Sequence, residues 1–101
     1  MRYWLIFDLS ARANPKGLFE WLDTMEATEC GLFAATFISD KPRERVVTEL
    51  TNAAGDGGIR LYLIGRKPDG TLVGSFILGR RKPAPWEGYA IKLQLVEEDD
   101  E

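Results

Sequence analysis

A chain of 101 residues with 45% hydrophobic and 11% aromatic residues has the material for one domain with a modest packed core. A single cysteine, Cys30, and no histidine exclude an internal disulfide framework, a cysteine-rich zinc site and imidazole acid–base chemistry. The net charge of −3 hides an asymmetry: five of the sixteen acids occupy residues 97–101, so thirteen basic residues face eleven acids over residues 1–96 and that body is +2.

From residue 2, "RYWLIFDL" is a nearly continuous apolar run that predicts a strand covered on both faces or central in a sheet. One basic residue and so short an apolar run before Asp8 make neither a signal peptide nor a membrane span. No later run is long enough to cross a bilayer, so a soluble, reduced, cytoplasmic protein is expected. After the loop "SARA", Asn14 is placed to cap a helix with Pro15 in its first turn. Leu18, Leu22 and Met25 then follow at helical spacing, and the helix is predicted to run to near Glu29, before Gly31. Its other face carries Glu20, Asp23, Glu26 and Glu29, which is either a solvated face or a docking surface for a basic partner.

"LFAATFIS" predicts the second strand, and Asp40 a cap for a second helix with Pro42 just inside it. Val46, Val47, Leu50, Ala53 and Ala54 form that helix's apolar stripe, and "GDGG" ends it. "IRLYLIG" and "TLVGSFIL" flank a tight turn at "PDG", residues 68–70, and predict a hairpin. "YAIKLQLV" alternates, with Tyr89, Ile91, Leu93 and Leu95 on one side, and predicts a fifth, half-exposed C-terminal strand.

This order predicts an α+β domain over residues 1–96, followed by an acidic tail at 97–101. Both helices must cover one face of a small, mostly antiparallel sheet. The other face is left bare, and strands carrying Trp4, Phe33, Phe37 and Tyr62 predict that it packs against a second copy in a twofold homodimer.

No serine–histidine or cysteine–histidine pair, phosphate loop or dinucleotide fingerprint is present, and Cys30 reads as a small core residue. Asp8, at the end of a central strand, has two readings: a carboxylate shared with its dimer mate around Mg²⁺, or a cap for the backbone of "LSARAN". Residues 58–92 are locally basic, with Arg60, Arg66, Lys67, Arg80, Arg81, Lys82 and Lys92 opposed only by Asp69 and Glu87. Arg80, Arg81 and Lys82 follow a strand and precede Pro83 and Pro85, so their backbone is constrained and less ordering entropy is lost on meeting a phosphate. Arginine forks suit phosphate oxygens, and twofold symmetry would set two such clusters along a duplex backbone.

The succession of "LIFDLS", "FISDKPRERVVTEL", "GIRLYLIGRKPDG" and "GSFILGRRKPAPWEG" resembles the CRISPR-associated protein 2 family, most specifically its type I-E branch over residues 59–93. The resemblance implies a ferredoxin-like homodimer held between dimers of the CRISPR-associated protein 1 integrase, carrying a protospacer duplex with single-stranded ends during spacer acquisition. It also implies that Arg80, Arg81 and Lys82, with Arg12 and Lys16 in the first loop, contact the duplex. Tyr89, Ile91, Leu93 and Leu95, with the tail to Glu101, would fasten the partner. Asp8 matches the aspartate that branches described as Mg²⁺-dependent endonucleases use. A nuclease acting on RNA or DNA, as in the similar-looking virulence-associated protein D toxins, is therefore the alternative to a noncatalytic DNA-binding subunit. A protein-interaction module of the same fold is a third reading.

Overall fold

Alternation of burial decides the character of the first strand. In the computed structural model, which describes residues 1–55 and 58–91, β1 (Arg2–Leu9) buries Tyr3, Leu5 and Phe7. Arg2, Ile6 and Asp8 remain exposed, so of the two expectations for this run the central place in the sheet is the one observed, with a single face covered.

Pro15, not Asn14, is the cap residue of the first helix, α1 (Lys16–Thr24), and Asn14 Oδ1 accepts the Lys16 amide at 3.2 Å in an Asx-type turn just before it. It ends earlier than the predicted limit near Glu29. The Glu26 amide donates to the Asp23 carbonyl and the Ala27 amide to the Leu22 carbonyl, each at 3.0 Å, while Glu26 adopts a φ of 53°. This is a Schellman closure with glutamate in the left-handed position that usually takes glycine. The chain then forms β2 (Thr28–Gly31), turns at Leu32 and Phe33, and returns as β3 (Ala34–Ile38), so Glu29 lies on a strand and not a helix.

Pro42, not Asp40, occupies the cap of α2 (Arg43–Ala54), and the buried Ser39 hydroxyl accepts the Lys41 amide at 3.1 Å. Val46, Leu50 and Ala54 are the buried stripe of α2. β4 (Ile59–Arg66) and β5 (Leu72–Leu78) form the predicted hairpin. In its turn the Gly70 amide donates to the Lys67 carbonyl at 2.9 Å, and Asp69 Oδ1 accepts the Thr71 amide at 2.9 Å.

The strands form one antiparallel sheet in the order β2-β3-β1-β4-β5. α1 links strands that flank β3 and α2 links strands that flank β1, an α+β arrangement compatible with a ferredoxin-like topology. Both helices pack on one face, where Leu18, Leu22, Val46 and Leu50 meet Tyr3, Leu5, Phe37, Leu61 and Leu63. Phe37, expected on the bare face, is in this core, stacked on Tyr3 at 5.4 Å between ring centroids and met edge-on by Trp21 at 5.1 Å. The helices approach so closely that a Cβ on Gly17 would collide with the Ala53 carbonyl oxygen.

The predicted C-terminal strand is not observed at its start: Tyr89, Ala90 and Ile91 have helical backbone. Leu93 and Leu95, like the acidic tail, lie outside the described residues. Among the described residues no helix is long and apolar enough to cross a membrane.

Candidate nucleic-acid interface

Pairing register assembles the site. On the sheet face turned away from the helices, Trp4 lies opposite Ile64, Ile6 opposite Tyr62 and Asp8 opposite Arg60, and β5 adds Phe76 beside Tyr62. Ile6 and Phe76 are 47% and 41% exposed, so the bare apolar face expected from the sequence is present, with Trp4 and Tyr62 on it. Tyr62 and Phe76 meet edge to face at 5.0 Å, and Gly74 leaves room for the phenol, since a Cβ there would be 2.6 Å from the Tyr62 oxygen.

At one end of this face Arg60 is held on three sides. Its Nη2 donates to Asp8 Oδ2 at 3.1 Å, its guanidinium lies 5.4 Å from the Phe76 ring centroid, and its Nη1 donates to the Arg80 carbonyl at 3.4 Å. Of the two roles weighed for Asp8 from the sequence, capping the loop that follows it is not observed: its carboxylate pairs with Arg60. The loop after β1 closes on main-chain bonds, Ser10 amide to Gly58 carbonyl at 3.1 Å and Ala13 amide to Ser10 carbonyl at 3.0 Å, while the Asp8 carboxylate is committed to Arg60.

Gly79 turns β5 into the basic segment. Its φ of 82° suits glycine, and a Cβ there would sit 2.9 Å from Arg60 Cγ. Arg80 and Lys82 then join Asp8, Ser10 and Arg60 around a cavity of about 250 Å³. Three cations and one carboxylate leave the cavity positive, and a guanidinium already oriented by a carboxylate and a ring loses little entropy on meeting a phosphate oxygen.

The structure thus brings Arg80, Lys82 and Asp8 together, adds Arg60, and leaves Arg81 exposed beside the cavity without lining it. Arg12 is exposed in the loop after β1, and Lys16, the first residue of α1, reaches Glu20 at 4.0 Å; neither lines the cavity. Beyond Lys82 the chain turns where the Glu87 amide donates to the Ala84 carbonyl at 3.0 Å, and Trp86, Tyr89 and Ile91 are exposed. Sequence reasoning counted Arg60 only as one charge of a basic segment. Its one signal was an acid and a base near the ends of two strands, and these become neighbours only through a register spanning 52 residues.

As a Mg²⁺ site the donors of one protomer do not fit. Asp8 is the single carboxylate at the cavity and already pairs with a guanidinium. Among the described residues no group of three or more His, Cys, Asp or Glu side chains converges. Cys30, expected in the core, is exposed on β2. No family model matches this sequence, and no curated protein and no solved structure matches it.

Proposed function

We propose that the chain is a noncatalytic subunit that binds the backbone of duplex nucleic acid, acting as a ferredoxin-like homodimer. On the resemblance of its ordered segments, we assign it the role of the small subunit of a CRISPR spacer-integration complex. The observation that carries this reading is Arg60, pinned between Asp8, Phe76 and the Arg80 carbonyl, with Gly79 turning Arg80, Arg81 and Lys82 out beside it. The bare face of Trp4, Ile6, Tyr62, Ile64 and Phe76 supports dimerisation, because stacking two such faces removes both from water and doubles the cationic cluster. In this role a dimer of fixed dimensions spaces two integrase dimers along a protospacer duplex with single-stranded ends, in the cytoplasm. Arg12 and Lys16 extend the duplex contact along the first loop, and Tyr89, Ile91 and the residues after them meet the integrase.

The alternative, a Mg²⁺-dependent endonuclease working through Asp8, requires that carboxylate to leave Arg60 and find a second acid from another copy. The donor set favours the structural role. Fluorescence anisotropy with a labelled duplex tests it. Arg80→Ala/Arg81→Ala is expected to weaken binding at every sequence and to flatten the slope of log affinity against log salt by about 0.9 for each phosphate no longer neutralised. Unchanged affinity and slope would overturn the reading. Metal-dependent cleavage of RNA or DNA that disappears in Asp8→Asn would install the nuclease in its place.

A further inference from the structure

At the edge of the sheet far from the basic segment, α1 and the β2–β3 hairpin enclose a groove of about 310 Å³. Its floor is apolar, with Phe7, Leu22 and Ala35, and its open side carries Phe19 and Leu32, which are 46% and 88% exposed. Asp23 and Glu29 stand on its rim, and Glu26 follows at the end of α1. Among the described residues none of these three acids is in an ion pair. Asp23 and Glu26 lie at the negative end of the helix dipole, where a carboxylate is unfavourable, so helix stability does not account for them. The groove therefore fits an occupant that is bulky and apolar at one point and positive around it.

The chain itself carries such a segment. Arg80, Arg81 and Lys82 are followed, across Pro83 and Pro85, by Trp86, which is 75% exposed. An exposed indole on a proline-braced backbone is a preorganised anchor, and it buries about 150–250 Å² once enclosed. β5 and β1 both run antiparallel to β4, so the arm leaves β5 at the end of the sheet where the Phe7 amide meets the Phe33 carbonyl. Within one chain, β3, β1 and β4 separate groove from arm. A half-turn about an axis parallel to the strands is an operation that stacks two bare sheet faces. It sets the β5 edge of one copy over the β2–β3 edge of the other, at the same end.

We propose that Trp86 of one copy seats in the α1/β2–β3 groove of a second copy, reciprocally, with the arm's cations against Asp23, Glu26 and Glu29. The inference rests on the homodimer proposed above and names a contact that closes it. Trp86 is not among the residues assigned to the duplex, whereas the arm's cations are, so a bound duplex competes with the acidic rim for those cations while the indole stays seated.

Cys30, the sole cysteine, lies on β2 beside Glu29 and supplies the probe. A tagged chain carrying Ala84→Cys and Cys30→Ser is mixed with the untagged wild-type chain under mild oxidation, and sedimentation velocity is run on the same samples. A tagged–untagged disulfide is expected, and it is expected to disappear when the tagged chain also carries Trp86→Ala. That substitution, made in the wild-type chain, is expected to weaken dimerisation by about thirtyfold or more. Dimers without the mixed disulfide, or a mixed disulfide indifferent to Trp86→Ala, overturn this contact and leave the dimer standing. Monomers throughout overturn the dimer as well. If a synthetic Lys/Arg-rich peptide with one leucine binds the groove and no mixed disulfide forms, the groove belongs to a foreign basic segment and the inference also fails.

Discussion

Gly79→Ala is the most informative single perturbation of the site, because its cost separates into two parts that a second glycine allows to be measured apart. An alanine at the φ of 82° found there is strained by about 1–2 kcal/mol. Its methyl group would also press to 2.9 Å from Arg60 Cγ and 3.2 Å from Arg60 Cβ, displacing the side chain that pairs with Asp8 and covers Phe76. That ion pair is partly exposed and contributes about 0–1 kcal/mol, and the cation–ring contact about 0.5–1 kcal/mol. Gly70 has a φ of 90° with nothing within 4 Å of a new Cβ, so Gly70→Ala carries the backbone strain alone. With a urea m-value of about 1.5 kcal/mol/M for a domain of this size, Gly70→Ala is expected to lower the midpoint by about 1 M. Gly79→Ala is expected to lower it by roughly a further 0.5–1 M. In an Arg60→Ala background most of the extra destabilisation at position 79 should vanish, as a double-mutant cycle requires of a shared interaction. Duplex affinity should fall in Gly79→Ala and not in Gly70→Ala. Equal midpoints for the two glycine variants, with duplex affinity intact in both, would refute the account of Arg60 as the pin of the site.

Two further predictions concern the framework. Glu49 accepts hydrogen bonds from Lys41 Nζ, at 2.8 and 3.0 Å, and from Trp21 Nε1 at 3.3 Å, and the Lys41 bonds foremost hold its carboxyl below the usual value. A depressed carboxylate stabilises the fold above its unfolded value and loses that contribution as pH falls through the folded one. Glu49→Gln should therefore lower Tm at pH 7 while flattening the decline of Tm below about pH 4.3; parallel Tm curves for the two proteins would contradict this. Tyr3 is fully buried and its hydroxyl has no hydrogen-bond partner among the described residues, while burial pushes its pKa up. Tyr3→Phe should raise stability by about 1 kcal/mol in urea unfolding, and a decrease of that size would mean that the hydroxyl is satisfied in solution.

Much of the α+β pattern was legible because its signals are local. "PDG" closes a hairpin whose bonds span only residues 67–71, Asn14 turns the chain into the helix that begins two residues later, and the apolar stripe of α2 buries the predicted Val46, Leu50 and Ala54. The misread boundaries lie where local chemistry gave a false or silent signal. Glu26 ends α1 from a left-handed conformation with no glycine to announce it, so an acidic stretch that looked helical is divided between α1 and β2. Pro42 takes the cap expected of Asp40, and the backbone from Tyr89 to Ile91 is helical although the residues alternate like a strand.

By itself the sequence determined the hairpin, the apolar stripe of α2 and the presence of a proline-braced basic segment after β5, since each depends on residues within a few positions of one another. Only the tertiary structure decided that β1 is covered on one face, that Phe37 is core while Tyr62 and Phe76 are not, and that Asp8 belongs to Arg60. The physical reason is register. Which side chains meet across a sheet depends on how strands distant in sequence align, and a slip of one residue between β1 and β4 would have put Asp8 and Arg60 on opposite faces.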